Sequence, residues 1–105
     1  MDYDEIKKML NKMDIPVAYW CFDKSDVPAL PFMVFSIPSH NVFYADGESY
    51  QKASKLYIEL YTEDKDIELE GKLENIFKGY GINASKEEQY LQDEKMFVEI
   101  YEMEV

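Results

Sequence analysis

The residues best suited to covalent or acid–base chemistry are few. Cys21 is the single cysteine and His40 the single histidine of the 105-residue chain, and with Asp46 they can be drawn as nucleophile, base and orienting carboxylate. Their settings oppose that reading. Cys21 stands in the run Val17-Ala18-Tyr19-Trp20-Cys21-Phe22, where an inert buried thiol is the usual state, and His40 stands in a polar stretch where a solvated imidazole is expected. The pairs Asp64/Asp66, Glu87/Glu88 and Asp93/Glu94 suit a hard cation by type, yet no loop shows the alternating ligands and glycine of an EF-hand. Among 22 acidic residues such pairs arise by chance and read as solvated surface. One Cys and one His fall short of a tetrahedral zinc site, and Gly47, Gly71, Gly79 and Gly81 are too scattered for a phosphate-binding loop. The expectation is therefore a protein without catalysis, metal or cofactor.

The elements that must position any site are legible in the spacing. Ile6, Met9, Leu10 and Met13 form one helical stripe, with Asp2 and Glu5 placed as a capping box and Pro16 as a stop. Val17–Phe22 reads as a first strand and Phe32–Ile37 as a second that Pro38 interrupts or ends. The stretch from Pro38 to Lys52 is irregular. It holds the turn-forming pair Asp46-Gly47, and either extends the flanking strands into one long hairpin or forms a loop. From Ala53 to Thr62 alternation is strict, with Leu56, Ile58 and Leu60 on one side and Lys55, Tyr57, Glu59 and Tyr61 on the other.

A second helix is expected after Asp64 as N-cap, with Ile67, Leu69, Leu73, Ile76, Phe77 and Tyr80 as its stripe and Gly79 and Gly81 as its stop. A closing hairpin follows, Ile82 to Leu91 and Lys95 to Val105, with Met96, Val98 and Ile100 on one face and Phe97 and Tyr101 on the other. The order α-β-β-β-α-β-β predicts a single α+β domain over residues 1–105. Its sheet should be mainly antiparallel, of four to five strands, with both helices on one face.

Composition bounds the partners. The chain carries 22 acidic residues against 11 lysines and no arginine, for a formal net charge of −11, while 15% aromatic content argues for a folded domain. Such a balance offers little to neutralise phosphates, so specific nucleic-acid binding is not expected. No apolar run reaches the roughly 20 residues of a membrane span, and the acidic start is unlike a signal peptide, so a soluble intracellular protein is expected. The acidity is uneven: residues 1–52 hold eight acids and five lysines, residues 53–105 fourteen acids and six lysines.

The tyrosines carry the strongest hint of function. Tyr57 and Tyr61 lie on the strand face opposite the apolar one, and Val42, Phe43, Tyr44 and Tyr50 add apolar surface to a segment that should be exposed. The ordinary alternative is a half-covered sheet. The functional reading is a subunit interface, where Tyr and Phe are enriched.

Taken in order, Pro31-Phe32-Met33-Val34-Phe35, Asn41-Val42-Phe43-Tyr44-Ala45-Asp46, Leu56-Tyr57-Ile58-Glu59-Leu60-Tyr61-Thr62, Leu69-Glu70-Gly71-Lys72-Leu73-Glu74 and Tyr101-Glu102-Met103-Glu104-Val105 span nearly the whole chain. The series resembles the tail-terminator, or tail-to-head joining, proteins of long-tailed phages, in the version found in prophages of low-GC Gram-positive bacteria. That resemblance implies a non-enzymatic subunit of a hexameric ring that caps the tail-tube protein and offers a docking face to the head connector protein. It would be made in the host cytoplasm and end in the virion tail. It also implies assembly contacts at His40, Asn41, Phe43, Tyr44, Asp46, Gly47 and Tyr50, to which the strand reading adds Tyr57 and Tyr61. In such a ring the carboxylates of the second helix and final hairpin would line a channel that repels DNA. The competing readings are another head–tail connector component, or an acidic DNA-mimic inhibitor of a nucleic-acid-binding enzyme.

Overall fold

In the computed structural model, the described residues are 1–45 and 48–105 for the backbone and 1–38 and 54–105 for the side chains. The capping box forms as its spacing predicts: the Glu5 amide donates to Asp2 Oδ1 at 2.8 Å and the Asp2 amide to Glu5 Oε1 at 3.4 Å. Helix α1 (Tyr3–Leu10) follows, and a 3₁₀ turn (Asn11–Met13) extends its stripe. Strand β1 (Val17–Tyr19) is short. Strands β2 (Phe32–Ala45) and β3 (Glu48–Thr62) are long, helix α2 covers Ile67–Gly79, and β4 (Ser85–Leu91) and β5 (Met96–Glu104) complete the chain.

The strands form one sheet in the order β1-β2-β3-β5-β4, with three antiparallel pairings and one parallel pairing, β1 with β2. The sheet is thus mixed but mainly antiparallel, and the class is α+β. The parallel pair arises because residues 20–31 carry the chain back to the start of β2 without a helix, a long connection of the kind parallel neighbours require. Both helices cover one face. Ile6, Met9, Leu10 and Met13, with Leu73 and Phe77 of α2, pack in one cluster on Met33, Phe35, Leu56, Ile58, Leu60, Tyr101 and Met103 of the sheet. Lys72 of α2 also donates to the Met13 carbonyl at 3.3 Å. Among the described residues, no helix is long and apolar enough to cross a membrane.

Several local expectations are corrected. Strand β1 ends at Tyr19 because Trp20 turns into left-handed backbone (φ 68°), which leaves Cys21 exposed outside the strand instead of buried within it. Of the two expectations for Pro38 to Lys52, the long hairpin forms: strand β2 runs through Pro38, where the pairing register shifts between Ser36 and Ser39, and a shift of this kind is where a strand tolerates a missing N–H. Helix α2 starts two residues later than expected, with Asp66 as N-cap accepting from the Leu69 amide at 3.0 Å. Ile67, its first residue, and Tyr80, its C-cap, stand exposed off the apolar stripe. Strand β4 begins at Ser85, not Ile82. Finally, Tyr101 faces the helices, since β5 registers Tyr101 against Ile58 and Val98 against Tyr61.

Candidate functional site

The alternation of β3 divides the sheet into a covered face and an open one. Register places Tyr57, Glu59 and Tyr61 beside Phe32, Val34 and Ser36 of β2 and beside Val98, Ile100 and Glu102 of β5, on the face away from both helices. Tyr57 and Tyr61 are half-buried there. The Tyr61 hydroxyl donates to Glu59, and burial together with that carboxylate raises its pKa well above the ordinary tyrosine value. Rings run on from Tyr61 to Phe32 and from Phe32 to Phe22, each pair at 5.2 Å, so the connection 20–31 folds over part of this face. The two tyrosines expected at an interface are therefore on one sheet face, of mixed aromatic, aliphatic and charged side chains, that no helix covers among the described residues.

The second feature is the far half of the β2–β3 hairpin. Strand β1 pairs with β2 only at Met33, Val34 and Phe35, and β5 pairs with β3 only from Lys55 to Thr62. From Ser39 to Ala45 and Glu48 to Ala53 the two strands, among the described residues, pair with each other alone, as an arm beyond the rest of the sheet. An isolated two-stranded ribbon is marginal by itself and gains from a partner. The expected contact residues His40, Asn41, Phe43, Tyr44 and Tyr50 lie on this arm, their side chains outside the described residues; Asp46 and Gly47 lie outside them altogether.

A third feature was not foreseen. Glu70 of α2 and Glu99 of β5 are 3% and 1% exposed. Lys65 bridges the cluster, with its ammonium on Glu88, 2.9 Å from Glu70 Oε1 and 3.5 Å from Glu99 Oε1. Lys86 reaches Glu70 at 2.7 Å and Glu74 at 2.8 Å, and the Tyr101 hydroxyl donates to Glu74 at 2.7 Å. Carboxylate oxygens of Glu70, Glu88 and Glu99 lie within 4.8 Å of one another, a spacing that would suit a cation, but the Lys65 ammonium already stands among them. The arrangement is a charge network in which two lysines serve four carboxylates.

Compensation is incomplete at Glu99, whose Oε2 is buried without a donor among the described residues. Burial, the charge of Glu70 and a hydrogen bond to Glu88 push its pKa up to about 7, so the acid is largely protonated in mildly acidic solution and loses its proton as pH rises through neutrality. Lys65 is shifted upward by its bonds to Glu88 and Glu70, and Glu88 downward by Lys65. The only sequence signal for this network was the alternation itself, which sets Glu99 on the same face as Tyr101 and Met103. With Glu70 and Glu99 buried, neither can line a channel. The exposed acids of α2 and the final hairpin, such as Glu68, Glu87, Asp93 and Glu94, remain at the surface.

No protein-family model matches this chain, and no curated protein matches it.

Proposed function

We propose that this protein is a structural subunit of the phage tail-terminator kind, which assembles with copies of itself into a ring that caps the tail tube and meets the head connector. The observation that carries the reading is the β2–β3 arm, whose strands pair with each other alone among the described residues and hold the aromatic residues Phe43, Tyr44 and Tyr50 in their sequence. A strand pair with two free edges is suited to a neighbouring subunit, and a head-to-tail contact between arm and body is the type that closes rings. The half-open sheet face with Tyr57 and Tyr61 offers a second surface for such contacts. Exposed carboxylates such as Glu68 and Glu87 would give a ring a surface that DNA slides past.

The test is the double substitution Phe43→Ala with Tyr44→Ala. Circular dichroism should match the wild type, while sedimentation should show loss of ring formation or of tube-end binding. Normal assembly of the double variant would refute the role given to the arm.

A further inference from the structure

Trp20 is the chain's only tryptophan and holds left-handed backbone at φ 68°, a conformation bulky L-residues rarely adopt. Its amide donates to the Phe35 carbonyl at 2.8 Å, which fixes the turn while leaving its side chain 59% exposed. That turn throws the connection 20–31 onto the open sheet face. Between this connection and the β4–β5 turn lies a groove of about 300 Å³, walled by Trp20, Phe22, Val27, Tyr61 and Met96, with Glu94 as its one charged lining residue. Val27 is 56% exposed at its edge. An exposed indole beside an apolar trough is the composition of a binding hot spot, and the trough is open and small enough for one or two side chains.

Charge selects the occupant. The segments that supply the groove walls are acidic in sequence: Asp23 and Asp26 outnumber Lys24 between Phe22 and Val27, and Asp93 and Glu94 outnumber Lys95 before Met96. A second copy, itself of net charge −11, would bring charge of the same sign. We propose that the groove docks an extended segment of a different protein, bearing a bulky apolar residue next to an arginine or lysine, the apolar side chain lying against Trp20 and the cation on Glu94. This goes beyond the ring reading: it shares Tyr61 with the open face given there to subunit contacts, but the arm takes no part, so loss of peptide binding and loss of arm-mediated assembly are separate outcomes.

Because Trp20 is the sole indole, its emission reports on the groove alone. The probe is a synthetic peptide of about 12 residues with a Leu-Phe core flanked by Arg and Lys, compared with a Glu-flanked peptide of the same core and a basic peptide with a Ser core. The basic apolar peptide should give a saturable blue shift that weakens with added salt, and the other two should give none. Glu94→Lys and Val27→Glu, both exposed changes that leave circular dichroism unaltered, should each weaken binding by about tenfold or more. The proposal is overturned by the absence of a saturable shift with the basic apolar peptide. Equal binding of the Glu-flanked peptide or by the two variants would overturn it as well. A peptide-independent shift that grows with protein concentration, with dimers in sedimentation, would assign the groove to a second copy instead.

Discussion

Replacing Glu99 with glutamine should remove a loss of stability that the wild type suffers as pH rises. Glu99 is 1% exposed and its folded pKa is raised from an ordinary 4.5 to about 7, so between those values the folded state holds a proton that the unfolded state has released. Stability then falls as pH rises, by up to ~1.4 kcal/mol per unit, which over this window sets an upper bound of ~3 kcal/mol. Below pH 4.5 the contribution is fully present; above about pH 7 it is gone. Glutamine has nearly the same shape and no proton to lose. Urea denaturation followed by circular dichroism at pH 5 and pH 8 should therefore show wild type and Glu99→Gln close together at the lower pH, and the variant more stable at the higher. Glu74 and Glu88 do not confuse the comparison: burial opposes, but their lysine partners hold both below the ordinary value, so their contributions are lost only at more acidic pH. Lys65 and Lys86 are shifted upward and titrate above both measurements. Parallel pH profiles for the two proteins would refute the reasoning.

Three further tests probe the charge network, the α2 cap and the core. Lys65→Met removes the cation among Glu70, Glu88 and Glu99, so its destabilisation in urea should be larger at pH 8, where Glu99 is charged, than at pH 5; equal losses would deny the network. Asp66→Ala deletes the N-cap of α2 and should cost about 1 kcal/mol in the same assay, whereas Asp64→Ala, two residues before it, should cost much less. Ile58→Ala opens a cavity in the fully buried centre of β3 and should cost about 2–5 kcal/mol, against a small effect for Tyr57→Phe on the open face.

What could be read from the sequence follows the strength of local patterns. Helix α1 was legible because its capping box and its stripe point to the same boundaries, and β3 because apolar residues occupy only one phase of its alternation. Strand β5 shows the opposite case: Met96, Val98 and Ile100 compete with Phe97, Tyr101 and Met103, both phases are apolar, and only pairing with β3 decides which faces the helices. The parallel placement of β1 depends on a long connection whose path no local signal sets. The left-handed turn at Trp20 and the continuation of β2 past Pro38 likewise come from tertiary pairing overriding the preferences of a bulky residue and a proline. Beyond the alternation of β5, the burial of Glu70 and Glu99 has no local signal, because Glu70 is held by Lys65 and Lys86 and Glu99 by Lys65, lysines brought from other elements. Of the candidate contact residues, Tyr57 and Tyr61 are found together on the open face as the alternation implied.

The account rests most heavily on self-assembly at a tube end. Negative-stain microscopy of the purified protein, alone and mixed with phage tail tubes, addresses it directly. The account predicts rings with six-fold symmetry, or tubes bearing a cap at one end, from the wild type and neither from the Phe43→Ala, Tyr44→Ala double variant. Monomers that never associate, with tube ends left bare, would contradict it.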